Sequence, residues 1–143
     1  MTLRPDIDIN GINEALITKA DTDLENVSLI LPKYTAIFNG SISKGTTITF
    51  SEAPENFDYL LGVRENMAMV MTGKCINGRG KLCCFWSGVD SLDGGFYTQV
   101  YSIDFGNKNN NTYTVWNVSW CPTNSTSTNQ VTYSIKIYGV KLF

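Results

Sequence analysis

The stretch Gln130–Phe143 constrains the fold of this chain more than any other. From Val131 to Ile137, apolar residues alternate with polar ones, and no helix cap accompanies them. A period of two is typical of a β-strand with one face against a core. The run continues to the last residue without a polar tail. Because chain ends usually fray unless a sheet holds them, we predict a strand well inside a sheet.

The composition supports an all-β protein. Charged residues make up 17% of the 143 residues, and Thr, Ser, Asn, Gly and aromatic residues are abundant, which is more typical of sheets than of helices. The net charge is −2, without any Lys/Arg cluster, so we expect no nucleic-acid partner. No apolar run reaches the length of a membrane span or resembles a signal peptide. We therefore expect no membrane insertion.

Short alternating or apolar stretches recur between segments rich in turn-forming residues, which is the pattern of an all-β domain. We predict an antiparallel β-sandwich of about eight strands, jelly-roll-like, over residues 29–143. In the third strand, Phe57, Tyr59, Leu61 and Val63 share one face. The predicted strands are Tyr34–Phe38, Gly45–Phe50, Phe57–Val63, Met67–Met71, Lys81–Trp86, Phe96–Phe105, Thr112–Trp120 and Gln130–Phe143.

Residues 1–28 differ from the rest of the chain. Ile12, Leu16 and Ala20 fall on one side of a short predicted helix. Isolated helices below about 12–15 residues are marginal in water, so this apolar side needs a partner. The partner is either the chain's own β-domain or the same segment in other copies of the chain.

Metal and nucleophile chemistry find little support in the sequence. Histidine is absent, which excludes Ser-His and Cys-His nucleophile pairs and His-containing metal sites. Asp6, Asp8 and Asn10 begin a calcium-loop pattern, but Ile17 stands where that loop needs a bidentate Glu. We expect no metal, no cofactor and no enzymatic activity.

The four cysteines lack the Cys-x-x-Cys spacing of zinc modules. A hairpin about Gly78-Arg79-Gly80 would place Cys75 opposite Cys83, whereas buried free thiols are the alternative. The neighbours Cys83 and Cys84 point to opposite faces of their strand. The cysteines are Cys75, Cys83, Cys84 and Cys121.

Two predicted strands carry apolar residues that could lie either in the core or at a contact with another molecule. Met67–Met71 is apolar on both faces, which predicts burial on both sides or a contact between subunits; Met67, Met69 and Met71 are the candidate contact residues. The aromatic faces of Trp86, Trp116 and Trp120 would suit stacking on sugars, but Trp116 and Trp120 alternate with Val118 onto one face of their strand, which predicts a place in the core.

The segment from Trp86 to Tyr97 is the candidate ligand site. It offers carboxylates, hydroxyls and aromatic rings on a predicted surface loop, a combination that hydrogen-bonds and stacks on saccharides. A solvated turn is the alternative, and Asp90 with Asp93 could also form the carboxylate pair of a glycosidase. The candidate ligand residues are Asp90, Ser91, Asp93, Tyr97 and Trp86.

Several stretches resemble bacteriophage and prophage fibre proteins. Gly11–Val27 resembles the segment "inealatKADtDLsNv" that is common in such fibres. Ile37–Phe50 and Asn56–Leu61 together resemble their distal domain, in which a "G-S-x-S-x-G-T-I-T-L" hairpin precedes "N-Y-D-Y-L", with Phe50 and Phe57 here in place of Leu and Tyr. Ser134–Lys141 resembles the closing "I-T-K-I-Y-G-I-K".

The resemblance implies a homotrimeric fibre protein of a phage virion, made in the host cytoplasm. Residues 1–28 would attach to other virion proteins and trimerise through Ile12, Leu16 and Ala20. The β-domain would be the tip that adheres to a host cell-surface glycan or protein. The alternatives are a purely structural virion component, such as a head-decoration or baseplate protein, and a glycan-cleaving enzyme.

Overall fold

The structure, a computed structural model, divides into two compact units, Met1–Pro32 with Leu142–Phe143, and Lys33–Lys141. In the first unit, residues 14–19 are helical and Leu16 is 60% exposed. Ile12 and Ala20 lie outside the described residues. None of the helices in the described parts is long and apolar enough to cross a membrane. The residues that the structure describes are 14–19, 32–89, 96–123 and 126–142.

In its described residues, the second unit is a single antiparallel sheet of nine strands, which confirms the all-β prediction. Two short 3-10 helices, Pro54–Asn56 and Glu65–Met67, precede the third and fourth strands. The strands are β1 (Lys33–Ile42), β2 (Thr47–Thr49), β3 (Tyr59–Arg64), β4 (Met69–Ile76), β5 (Arg79–Val89), β6 (Phe96–Asn109), β7 (Thr112–Pro122), β8 (Asn129–Gln130) and β9 (Tyr133–Lys141).

The order of the strands shows how the sheet surrounds the core. It runs β1-β9-β3-β4-β5-β6-β7-β2, with β8 paired to β7. β3 to β7 form a meander, a simpler connectivity than the two Greek keys of a jelly roll. β1 and β2 stand at opposite ends of this path but are consecutive in the chain, and the Ser51 amide donates to the Ile37 carbonyl at 2.9 Å. The sheet therefore curls on itself around one interior.

The C-terminal strand lies inside the sheet, as its alternation predicts. β9 is hydrogen-bonded to β1 on one side and to β3 on the other. Its side chains Tyr133, Ile135 and Ile137 are buried in the core. On the opposite face, the Lys136 ammonium lies 2.7 Å from a Glu65 carboxylate oxygen. The strand is thus held by backbone pairing on both edges and by burial of one face.

Alternation along β4 overturns part of the predicted subunit contact. Met69 and Met71 are 4% and 0% exposed within the single chain, whereas Val70 between them faces outward. The prediction that Met69 and Met71 contact another subunit is therefore wrong for these side chains, because successive residues of a strand point to opposite faces. Met67, in the preceding 3-10 helix, remains exposed.

The hairpin between β4 and β5 turns one residue earlier than predicted. Asn77 and Gly78 have φ values of 51° and 74°, the left-handed backbone that a two-residue Asn-Gly turn uses. Cys75 consequently pairs with Gly80, and Cys83 lies opposite Thr72. The predicted Cys75–Cys83 pairing is wrong.

All four cysteines are free thiols. Cys75 is buried in the core, and Cys84 packs against the core cluster from the next strand. Burial, reinforced by the charge of Glu55, raises the pKa of Cys75 to about 12. Cys75 therefore stays protonated at neutral pH. Because only the thiolate form of a cysteine reacts or binds metal, we expect neither of Cys75.

A bulge in β7 shifts the register against β6. Asp104 is paired with Asn117, but the next residue, Phe105, is paired with Val115, so Trp116 has no partner residue on β6. A bulge of this kind places two residues of one strand opposite one of its neighbour. The inward-facing residues are therefore odd-numbered before the bulge and even-numbered after it.

The two tryptophans of β7 have different environments as a result. Trp120 packs against the buried core with Val118, which confirms the prediction for Trp120. Trp116 lies on the outer face and is 36% exposed. The prediction that Trp116 belongs to the core is wrong, because alternation alone does not anticipate the extra residue.

Candidate functional site

The ligand residues predicted from the sequence fall largely beyond the part of the chain that the structure describes. Asp90, Ser91 and Asp93 lie outside it. The backbone of Tyr97 belongs to β6, and its side chain is not among those described. Trp86 lies near the end of β5, opposite Gln99, and is 38% exposed. Of the predicted ligand residues, Trp86 is therefore the one whose side chain the structure describes.

A polar surface on the opposite side of the same strands is better defined. It consists of outward-facing residues near the turn between β4 and β5, and we name it the β4–β7 face: Lys74, Ile76, Arg79, Lys81, Ser102, Asp104, Trp116 and Asn117. Its central row follows from the register, in which Lys74 pairs with Lys81, Lys81 with Asp104, and Asp104 with Asn117. Side chains opposite one another on neighbouring strands lie about 5 Å apart. The row is thus a continuous line of charged and amide groups.

Asn117 holds this central row together. Its amide nitrogen donates to the Ser102 hydroxyl at 2.8 Å and to Asp104 Oδ2 at 3.1 Å. The amide of Gln130, in β8, donates to Asn117 Oδ1 at 3.1 Å. The Lys81 ammonium lies 3.6 Å from the other Asp104 oxygen. These contacts fix the orientation of the polar groups before any ligand arrives, which lowers the ordering cost of binding.

Trp116 lies beside the central row on the same face. A Cβ atom added to Gly106 would come within 2.2 Å of the indole, so the benzene part of the ring lies directly over the glycine backbone. The guanidinium carbon of Arg79 lies 5.6 Å from the ring centroid, within cation–π range. Ile76, opposite Arg79 on β4, is exposed. The indole is thus held in place while part of its surface remains accessible.

The charge on this face is opposite in sign to that of the whole chain. Lys74, Arg79 and Lys81 are cationic, and Asp104 is the one acidic residue among the described outward side chains of β4–β7. The face therefore carries a local charge of about +2, whereas the chain has a net charge of −2. Local concentration of one sign attracts ligands of the other sign.

A groove adjoins the β4–β7 face at the turn between β4 and β5. Lys74, Ile76 and Asn77 line one side of it, and Glu55 with Lys108 lines the other. The Lys108 ammonium lies 3.0 Å from Glu55 Oε1, and the buried Tyr113 hydroxyl donates to Oε2 at 2.6 Å. Burial by itself raises the pKa of Glu55. The hydrogen bonds from Tyr113 and Lys108 outweigh this effect, so the pKa lies below its ordinary value.

Sequence reasoning did not identify the β4–β7 face. Alternation of Lys74 and Ile76 was visible in the sequence, but their neighbours across the sheet come from distant positions and follow only from the register. Alternation along β7 predicts Trp116 in the core, because the bulge that turns it outward is not visible in the sequence. No group of three or more metal-ligating Cys, Asp or Glu side chains occurs in the described ranges.

Comparison with known proteins does not identify a function for this face. No protein-family model, curated protein or solved structure matches the chain. The resemblance to phage fibre proteins therefore rests on the sequence motifs alone. Function has to be argued from the geometry and chemistry of the site, because a fold by itself does not imply one.

Proposed function

We propose that this chain is an adhesion module whose β4–β7 face binds saccharides. The observation that carries the proposal is the exposed Trp116, held between Gly106 and Arg79 beside a row of fixed polar groups. A pyranose ring packs its C–H groups on an aromatic surface, while its hydroxyls exchange hydrogen bonds with amide, carboxylate and ammonium groups. Trp116, Asn117 and Asp104 supply these two kinds of contact side by side.

The charge of the face favours an acidic saccharide. Lys74, Arg79 and Lys81 outnumber Asp104, whose charge is already engaged by Lys81 and Asn117. A uronic acid, or a sugar bearing phosphate or sulfate, complements this excess. Arg79 is the side chain best placed to receive the anionic group, because it lies next to the ring on which the sugar would stack.

Within a phage particle, the module would serve as the tip of a homotrimeric fibre that adheres to a host cell-surface glycan or protein. Residues 1–28 would join it to other virion proteins. Each contact through a shallow face is weak, but three tips per fibre and many fibres per particle multiply their effect. The sequence motifs quoted above support this placement on a virion.

A purely structural virion component is the second candidate. It is favoured by Phe85, which faces outward on β5 and is 74% exposed, with Val100 and Cys121 in register beside it. An apolar row of this kind suits contact with another protein more than contact with a sugar. A glycan-cleaving enzyme would depend on Asp90 and Asp93, which lie outside the described residues.

Binding measurements on three variants separate the first two candidates. Titration calorimetry with neutral, uronic-acid and phosphate-bearing oligosaccharides should show binding that Trp116→Ala weakens at least tenfold. Trp116→Phe should retain most of the affinity, because an aromatic surface remains. Phe85→Ala is the control and should bind saccharides like the wild type.

Two results would contradict the proposal. Binding that is equally strong for Trp116→Ala and the wild type would remove the tryptophan from the site. Loss of binding in Phe85→Ala, together with tight binding of the wild type to purified virion proteins alone, would favour the structural alternative.

A further inference from the structure

The interior of the sheet contains a buried cation. Arg64 is the last residue of β3, where alternation directs Leu60, Gly62 and Arg64 inward. Arg64 is 6% exposed, and it is the one charged side chain among the buried residues that the structure describes. Arginine remains protonated in proteins, and a charge taken out of water costs several kcal/mol unless it is compensated. The sheet therefore encloses a charge that needs a partner.

The described residues do not supply that partner. The Nε and Nη1 atoms of Arg64 are buried and have no hydrogen-bond acceptor among them. The ion pairs found in the described ranges involve Lys81, Lys108 and Lys136 instead. The guanidinium carbon lies 3.7 Å from the centroid of the Tyr133 ring. This cation–π contact offsets part of the desolvation, but it provides no acceptor for the N–H donors.

Tyr133, which contacts Arg64, belongs to a set of aromatic side chains on the inward side of the strands that we name the aromatic lining. The Tyr101 ring centroid lies 6.4 Å from that of Tyr133, and the Tyr101 hydroxyl donates to Gln99 at 2.6 Å. Trp86, the strand partner of Gln99, follows Cys84 on the inward side of β5 and is the most exposed member of the group. The aromatic lining thus includes two buried rings, Tyr133 and Tyr101, and one exposed indole, Trp86.

The charge of Arg64 influences the pKa of two groups, Tyr133 and Cys84. Burial raises the pKa of Tyr133 to about 12, and the charge of Arg64 opposes that rise. Burial and the neighbouring Cys83 also raise the pKa of Cys84, again against the charge of Arg64. Neither group ionises at neutral pH to neutralise the arginine. A compensating negative charge has to come from elsewhere.

We propose that Arg64 anchors a binding site for a small organic carboxylate, with Tyr133, Tyr101 and Trp86 packing against the ligand's apolar body. A carboxylate accepts charge-assisted hydrogen bonds from guanidinium N–H groups. Because Nε and Nη1 lie on different edges of the guanidinium, the carboxylate occupies one edge and a water molecule the other. The single cation and the aromatic lining favour a monoanion with an apolar body over inorganic phosphate.

Thermal unfolding with added anions tests this site without reference to saccharides. Benzoate should raise the unfolding temperature of the wild type in proportion to the logarithm of its concentration, and acetate should raise it less. Potassium chloride at equal ionic strength should have little effect. Arg64→Met should lose the benzoate response. Without ligand it should unfold at the same temperature as the wild type or higher, because an uncompensated charge is gone.

Lys44→Met is the matched control, since it removes a cation from an exposed turn and should keep the benzoate response. If Arg64→Met does not fold, Arg64→Lys provides the second test and should weaken benzoate binding at least tenfold in calorimetry. An equal benzoate response in Arg64→Met and the wild type would overturn the proposal. So would a wild type that responds to no carboxylate, or one that responds more strongly to inorganic phosphate.

Discussion

At the scale of single residues, the contact between Tyr113 and Glu55 links the core to its surface. Tyr113 is fully buried among Phe50 and Phe105, with ring centroids 5.4 Å apart. Its hydroxyl has to find an acceptor there, because an unpaired buried hydroxyl is costly. Glu55 provides that acceptor, and in return its carboxylate is stabilised in the ionised form.

Tyr113→Phe should lower the free energy of unfolding at neutral pH by about 1.5–3 kcal/mol, the range for hydrogen bonds to charged groups. The folded-state pKa of Glu55 lies below its ordinary value of 4.5, so its contribution is fully present above that pH. The contribution is lost as the pH falls through the folded-state pKa. Urea unfolding at pH 7 and pH 3 measures the change.

The difference between wild type and Tyr113→Phe should therefore be smaller at pH 3 than at pH 7. Lys108→Met is a useful comparison, since it removes the more exposed partner of Glu55 and should cost less than about 1 kcal/mol. A difference that is the same at both pH values would contradict a role for the ionised carboxylate.

At the scale of secondary structure, one extra residue in β7 creates the candidate site. The bulge moves Trp116 to the outer face and leaves Val118 and Trp120 on the inner one. Gly106 on β6 leaves the space that the indole occupies, as a Cβ there would collide with it. Bulges often redirect a side chain at functional positions, which agrees with a role for Trp116 in binding.

Trp120→Ala and Trp116→Ala should therefore differ in stability. Truncating a fully buried Trp costs about 3–5 kcal/mol, and Trp120 is partly buried against the core, so we expect a loss of about 2–3 kcal/mol. Trp116→Ala should lose about 1 kcal/mol or less, because its ring lies on the surface. Denaturant unfolding of both variants is the measurement, and equal losses would contradict the assignment of the two faces.

At the scale of the whole molecule, the state of assembly is the main open prediction. Met69 and Met71 are buried and unavailable for a subunit contact, whereas Met67 and Val70 remain exposed near the start of β4. The predicted trimer then depends on Ile12, Leu16 and Ala20, or on the exposed part of the β-unit. When each binding face is shallow and weak, joining several copies in one assembly strengthens the overall binding most.

Light scattering on the full chain should give the mass of a trimer at micromolar protein. A shortened chain that begins at Leu29 should be monomeric if the N-terminal segment holds the trimer together. If the shortened chain stays trimeric, the β-units themselves make the contact between subunits. The double variant Met67→Ser, Val70→Thr should then dissociate that trimer. A monomeric mass for the full chain would contradict the trimer prediction.

Alternation in the sequence determined the fold class and the central place of the last strand. Tyr133, Ile135 and Ile137 face the core as predicted, because a period of two is a local property of a half-buried strand. The same signal is ambiguous where both faces are apolar. In β3 it grouped Tyr59 with Leu61, whereas the fully buried face is the one with Leu60 and Arg64.

The tertiary structure alone decided which side chains meet. The row from Lys74 to Asn117 joins four strands through their register, and the exposure of Trp116 follows from one bulge. The burial of Arg64 likewise depends on Tyr133, which is far away in the sequence but lies on the neighbouring strand β9 and packs against the guanidinium. Local pattern determines that a strand forms, but burial and charge environment are set by neighbours that only folding brings together.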